Sequence, residues 1–358
     1  MNEFTLHGAR IVVRAGAHAD AASLIQECAP GCRPVVIADA NVAPLHAAPI
    51  AAALGAELLT FPAGEENKVR AQWASLTDDL LARQYGRDTV VVAVGGGVCG
   101  DLAGFVAATY LRGVPVVQVP TSLVAMIDAA IGGKTGVDTR HGKNLVGAFH
   151  QPALVLVDPL ALRTLPAEHW RAGMAEAIKH GVIADESYFH WIAAHGASLL
   201  APSLAPALAE RLVCGSVAVK VGVVAEDERE GGRRRILNFG HTIGHAIEHL
   251  SDYALLHGEA IAIGMVAEAR LGELAEVTLT GFADEIRELC ESFGLPVRIA
   301  PAFSADAIIA LTRGDKKARS GAAEYSLPVR LADMNAGGGR FALPMDERLV
   351  RAAIEATR

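Results

Sequence analysis

Five short apolar runs mark the N-terminal half of the chain: "ARIVVR", "RPVVIAD", "ELLTF", "DTVVVAV" and "VPVVQVP". They are rich in β-branched residues and too short for stable helices, so each predicts a strand. Stretches with helical periodicity lie between several of them, among them 67–84 and 101–111. Strand and helix alternating in this way predict a parallel sheet covered by helices on both faces. After "ALVLVDP" the texture changes. Alanine- and leucine-rich helical segments follow at 166–183, 202–224, 235–250, 258–276, 280–293 and 304–313, and only "EYSLPVRL" and "RFALP" look like strands. The expected organisation is an α/β domain over 1–165 and a mainly α-helical domain over 166–358. No internal repeat or low-complexity tract interrupts either part.

The bulk properties narrow this picture without deciding it. Half of the 358 residues are apolar (51%), yet no apolar run reaches the length of a membrane span, so none is expected. "MNEFTLHGARIVVR" lacks the basic start and apolar core of a secretory signal. Five scattered cysteines (Cys28, Cys32, Cys99, Cys214 and Cys290) fit a reduced cytoplasmic protein better than a disulfide scaffold or a zinc knuckle. A net charge of −8 argues against general nucleic-acid binding and leaves a local cationic pocket open.

Candidate chemistry enters with "VVAVGGGVCGD", where a strand runs into glycines and then a helix. Gly95, Gly97 and Gly100 satisfy G-x-G-x-x-G, and backbone amides at such a turn meet a pyrophosphate. The first domain is therefore read as Rossmann-like and nucleotide-binding. A tight strand-to-helix turn without a ligand has the same residues. Asp39 ends the strand "VVIAD" and suits either a ribose or a helix cap. "IGGKTG" at 131–136 is not a phosphate-binding P-loop, because Asp128 stands where that motif needs glycine. Lys134 there still suits a bound anion. "LNFGHTIGHAIEHL" spaces His241, His245 and His249 four apart, along one side of a helix. His241 and His245 make a feasible chelating pair, although Thr242 stands where zinc-protease helices carry glutamate. Glu176 and Lys179, three apart in a helix that Met174, Ala175, Ala177 and Ile178 make apolar on more than one side, read as a surface salt bridge or as a charged pair lining a cleft. "GGRRR" by itself reads as a solvated basic turn.

Taken in order, "GGGVCGDLAGFVAATYLRG", "VPTSLVAMIDAAIGGKTGVDTRHGKNLVGAFHQP", "GMAEAIKHG", "DEREGGRRRILNFGHTIGHAIE", "LLHGEA" and "DKK" resemble the 3-dehydroquinate synthases of the sugar-phosphate cyclase family. The resemblance implies a dehydroquinate synthase-like fold in which a nucleotide-binding α/β domain precedes a helical, metal- and substrate-binding domain, with the active site between them. It also implies a homodimer, NAD, and a divalent metal that is usually zinc, with cobalt possible. The implied activity is that of a phosphorus–oxygen lyase. It converts 3-deoxy-D-arabino-heptulosonate 7-phosphate, a phosphorylated sugar acid, to 3-dehydroquinate and phosphate in the shikimate route to aromatic compounds.

Matched position by position, the resemblance assigns Glu176, His241 and His257 to the metal, leaving one coordination position open as a catalytic zinc requires. His249 then matches nothing and reads as a helix-surface residue. The matched catalytic network is Asp128, Lys134, Lys179, Lys220, Arg234, Asn238 and His245. Substrate contacts comprise Lys134, Asn144, Lys220, Arg234, Asn238, His245 and Lys316, with Arg112 reaching the neighbouring subunit's site. Cofactor contacts are Asp39, Glu65, Lys68, Gly95, Gly96, Gly97, Val98, Asp101, Thr121, Ser122, Lys134 and Lys143. Arg234 suits a carboxylate gripped by two parallel bonds, while lysines serve phosphate as point charges. The implied cycle oxidises the substrate transiently and returns the hydride, so NAD is regenerated.

Three departures stand out. Ser122 replaces a frequent threonine, Ala129 and Ala130 replace two serines beside Asp128, and Asp138 replaces a frequent asparagine. Another sugar-phosphate cyclase, an NAD- and metal-dependent polyol dehydrogenase, and a silent nucleotide-binding paralogue are the competing readings. Arg234, Asn238, Lys220 and "DKK" favour the dehydroquinate product.

Overall fold

The computed structural model describes residues 2–201, 204–313 and 323–358. The chain forms two compact units: one runs up to Pro166 and includes Leu204–Val221, and the other comprises the remainder. In the first unit the elements are β1 (Asn2–Leu6), β2 (Ala9–Val13), α1 (Ala21–Cys28), β3 (Arg33–Asp39), α2 (Ala48–Leu54), β4 (Glu57–Phe61), α3 (Arg70–Ala82), β5 (Thr89–Gly95), α4 (Gly97–Thr109), β6 (Val116–Pro120), β7 (Lys134–Thr139), β8 (Gly142–Phe149) and β9 (Leu154–Val157).

Seven strands form one sheet in the order β1-β2-β9-β6-β5-β3-β4, and every pairing except β1 with β2 is parallel. The expected parallel sheet is thus present, with an antiparallel edge strand added. Thr89–Gly95 is buried along its whole length, because the central strand of a covered parallel sheet has no solvent face. Each of its valines contributes on the order of 1.5–3 kcal/mol by burial. Going along the chain, β4 pairs on one side of β3, then β5 and β6 build outward on the other. Strand order therefore reverses between β3 and β5. In open α/β sheets the crevice at the carboxyl ends of such a pair is where ligands bind. Asp39 and Gly95, the last residues of those two strands, mark that crevice.

Outside the sheet, β7 and β8 form a hairpin that begins at Lys134. The segment after "IGGK" is thus a strand, not the helix a P-loop needs. Helix α4 starts at Gly97, four residues before the expected start, because glycines conceal a helix N-terminus from propensity.

The second unit contains α5 (Ala167–Ala184), α6 (Glu186–Leu199), the end of α7 (Pro206–Glu226), α8 (His241–Leu250), α9 (His257–Leu274), α10 (Phe282–Ser292), α11 (Ala305–Arg313) and α12 (Glu347–Ala356). Four very short strands, β10 (Glu324–Tyr325), β11 (Pro328–Arg330), β12 (Asp333–Met334) and β13 (Leu343–Pro344), pair β10 with β13 and β11 with β12. One boundary differs from expectation. Leu204–Val221 belongs with the first unit, although the sequence placed all of 166–358 in the helical domain. There Glu210 accepts hydrogen bonds from the Asn2 side chain (2.9 Å) and the Ala15 amide (3.0 Å). Periodicity identifies a helix but not the layer on which it packs.

Helices α8 and α9 approach backbone to backbone. A Cβ on Gly264 would lie 2.0 Å from the Gly240 carbonyl oxygen and 2.8 Å from the Gly244 nitrogen, so only glycine fits. All five cysteines are free thiols. No helix of the described residues is long and apolar enough to cross a membrane.

Candidate active site

The first unit gathers one set of candidate residues around the switch point. Helix α4 has Gly96 as its N-cap and no side-chain cap, so its first-turn amides are placed to meet an anion. Gly100 packs against Gln118 of β6, whose Oε1 would stand 2.8 Å from a Cβ there. The Thr121 amide donates to the Gly95 carbonyl (2.9 Å), and Ser122 Oγ lies 3.4 Å from where a Gly96 Cβ would stand. Ala129 borders Gly97 in the same way at 3.5 Å. Asp39 splits its two oxygens. Oδ1 caps the following turn by accepting the Asn41 (2.9 Å) and Val42 (3.1 Å) amides, while Oδ2 faces the Gly95 turn.

Beside this loop, buried Lys68 pairs with Glu65 (2.7 Å), Asp101 (3.3 Å) and Asp138 (3.7 Å), and Lys143 reaches Glu65 at 3.6 Å. Burial raises the Asp101 carboxyl to about 6, against the opposing pull of Lys68. Burial opposes the charge on Lys68, yet its three carboxylates outweigh that and raise its pKa. Lys220 of α7 forms a close ion pair with Asp128 (2.5 Å). Lys134 opens β7 with an exposed side chain. Asn144 is exposed at φ 54°, and its backbone N–H donates to Asp138 Oδ1 (2.8 Å). Arg112, at φ 75°, lines a separate cleft with His7, His150 and Gln151.

In the second unit Glu176 lies on α5, His241 opens α8 and His257 opens α9. Gly240 at φ 79° breaks the chain before His241, so the helix expected from residue 235 starts at the histidine instead. Glu176 Oε1 stands 3.4 Å from His241 Nε2 and 3.4 Å from His257 Nε2. Donors held about 2 Å from a tetrahedral zinc ion stand roughly 3.3 Å apart, so the spacing fits that ion. Glu176 is fully buried, and Lys179 Nζ pairs with its Oε2. The other ring nitrogens are engaged: His241 Nδ1 lies 3.1 Å from the Phe239 carbonyl, and His257 Nδ1 lies 3.4 Å from Glu248 Oε2. Both Nε2 atoms therefore turn toward Glu176. His245 joins the cluster, its ring 5.1 Å from that of His241 and 5.6 Å from that of His257. Among the described residues, His241, His245 and His257 bring ligand atoms within 4.8 Å of one another. His249 points away, exposed, to the Tyr253 hydroxyl (3.2 Å).

The electrostatics suit a cation. Burial would raise the Glu176 carboxyl, but Lys179 and the two histidines hold it well below the ordinary range. Of the three arginines in "GGRRR" only Arg234 is buried, at 1% exposure. It donates through its amide to Asp227 (3.0 Å) and through its guanidinium to the Glu228 carbonyl. Arg233 and Arg235 pair with Glu226 (3.2 Å) and Glu324 (3.0 Å). The Asn238 amide donates to Glu230 (2.7 Å). Lys316 lies outside the described residues.

Two carboxylates escaped sequence reasoning, Glu248 beside His257 and Glu268 at the start of α8. Each is a glutamate within a helix, which by itself reads as a solvated face. Their burial, at 4% and 0% exposure, is the signal, and burial is a tertiary property.

The fold is that of the sugar-phosphate cyclases. It is similar over the whole chain to 2-deoxy-scyllo-inosose synthase (TM-score 0.89, 24% identity, 100% of both chains). A second likeness is to 2-epi-5-epi-valiolone synthase from Streptomyces hygroscopicus subsp. jinggangensis, solved with NAD+ and Zn2+ bound (TM-score 0.87, 29% identity, 100% of this chain and 98% of that one). The 3-dehydroquinate synthase N-terminal family matches residues 58–172, and the 3-dehydroquinate synthase C-terminal family matches 173–318. A curated 3-dehydroquinate synthase from Symbiobacterium thermophilum is 45% identical over 89% of this chain and 91% of its own. The chain belongs to the 3-dehydroquinate synthase family.

Proposed function

We propose that the protein is a 3-dehydroquinate synthase, converting 3-deoxy-D-arabino-heptulosonate 7-phosphate to 3-dehydroquinate and phosphate. The observation that carries the reading is the convergence of Glu176 with His241 and His257 at 3.4 Å, in a chain 45% identical to a curated synthase. The first unit is the NAD-binding part, and the second carries the metal ligands. The Gly95–Gly97 turn would hold NAD, which would supply a hydride acceptor that is regenerated over the whole reaction. Glu176, His241 and His257 would hold a divalent ion, zinc or cobalt, which would supply Lewis acidity toward substrate oxygens.

The chain's own residues do the rest. The uncapped α4 amides would meet the pyrophosphate, and Asp39 Oδ2, which faces the Gly95 turn, would meet the ribose. Lys179 keeps Glu176 ionised beside two neutralisable imidazoles. Arg234 is matched to the substrate carboxylate, with its guanidinium oriented by the Glu228 carbonyl. Lys220, Lys134, Asn144, Asn238 and Lys316 supply the remaining substrate contacts. Asp128 holds the Lys220 ammonium in place. His245, whose ring lies beside those of His241 and His257, serves proton transfer and phosphate. The working form is a cytoplasmic homodimer, in keeping with five free thiols and with Arg112 exposed at a turn of its own.

The test is phosphate release from the heptulosonate phosphate with sub-stoichiometric NAD, before and after chelation. Release that depends on both NAD and metal is expected. Release indifferent to chelator overturns the metal assignment. Faster turnover of a heptulose phosphate lacking the carboxylate would identify a different cyclase.

A further inference from the structure

We propose that Glu248 is the positioning residue for His257, and that α8 and α9 hold the two histidines by exchanging carboxylates. The proposal rests on Glu176, His241 and His257 being metal ligands. Glu248 sits on α8, two turns beyond His241, and is 4% exposed. Its Oε2 lies 3.4 Å from His257 Nδ1, on the opposite edge of the ring from Nε2, which faces Glu176 at 3.4 Å. A neutral imidazole carries one N–H. Donating that N–H from Nδ1 to a carboxylate leaves the Nε2 lone pair directed at Glu176 and fixes the plane of the ring. His257 is the first residue of its helix, where no preceding turn restrains its side chain, so an outside partner has most to do there.

Helix α9 returns the favour with Glu268, which is wholly buried. Its two oxygens accept the amides of Gly240 (2.7 Å) and Ile243 (2.9 Å), which bracket His241 in sequence. A carboxylate at a helix N-terminus also lies at the favourable end of the backbone dipole. Each helix thus carries one of the two histidines matched to the metal and one carboxylate that fixes the other helix's histidine. The glycine contact between α8 and α9 brings the backbones close enough for both glutamates to reach across. Neither Glu248 nor Glu268 has to touch substrate for this.

The experiment measures zinc affinity by chelator competition in the wild-type protein, Glu248→Gln and Glu248→Ala, together with the visible absorption of the Co2+-loaded forms and the NAD affinity. Glu248→Ala is expected to bind metal about 10–100-fold more weakly and to show an altered cobalt spectrum, with NAD affinity unchanged. Glu248→Gln keeps an oxygen acceptor and is expected to lose less, and it carries the test should the alanine variant fail to fold. Wild-type affinity and an unchanged cobalt spectrum in the variants overturn the proposal. So does a lowered melting temperature with metal affinity intact, which would make Glu248 a support of the fold alone. If the wild-type protein binds no metal, the ligand assignment itself fails, a result distinct from unchanged variants.

Discussion

His241 and His257 present the same ring nitrogen to one carboxylate, yet their proton affinities move in opposite directions. Burial, reinforced by Lys179, lowers the His241 imidazole to about 4. Burial also works against charging His257, but Glu176 and Glu248 outweigh it and raise that imidazole to about 9. The metal-free protein at neutral pH is therefore expected to hold a proton on His257 and none on His241. A metal ligand must be neutral, so loading has to expel the His257 proton. Affinity is expected to rise by about tenfold per pH unit up to about 9 and then level off. Chelator competition at several pH values checks this, and a pH-independent constant would contradict it. The sign for stability is opposite. The folded value of His257 exceeds the unfolded value of 6.5, so its contribution to the metal-free fold is complete below that value and is lost as pH rises through about 9.

Helices α8 and α9 show how strictly secondary-structure packing constrains these residues. A methyl group on Gly264 would meet the Gly240 carbonyl oxygen at 2.0 Å, and backbone cannot rotate away as a side chain can. Gly264→Ala is expected to cost about 1–3 kcal/mol by overpacking and to weaken metal binding, since it displaces His241 from His257. Gly222 of α7 is the contrasting case, with no atom of the described residues within 4 Å of an added Cβ. Gly222→Ala is expected to stabilise by about 0.5–1 kcal/mol, because alanine loses less backbone freedom in a helix. Paired chemical denaturation curves measure both. Equal shifts for the two substitutions would show that the close approach does not govern stability.

Across the whole molecule, the candidate nucleotide groups belong to one compact unit and the candidate metal ligands to the other. Removing a ligand should therefore separate the two binding functions. His257→Ala is expected to lose its metal and its phosphate release while NAD affinity stays within about threefold, under 1 kcal/mol. Metal analysis and a fluorescence titration of NAD read the two independently. Metal retained at wild-type level would remove His257 from the ligand set.

Much of this was legible in the amino-acid order, because strand runs, turns and helix periods are encoded by neighbours a few positions apart. "DTVVVAVGGGVCGD" announces β5, its turn and α4, and "RPVVIAD" announces a strand ending in Asp39. The hairpin of β7 and β8 was hidden by its glycines, and the docking of Leu204–Val221 by the indifference of helical periodicity to its partner. The buried member of "GGRRR" and the cross-helix reach of Glu248 and Glu268 were likewise beyond local reading. Those features depend on which side chains the packed helices remove from water and bring within a few ångströms of one another. Distance along the chain carries no record of that; only close packing in three dimensions creates it.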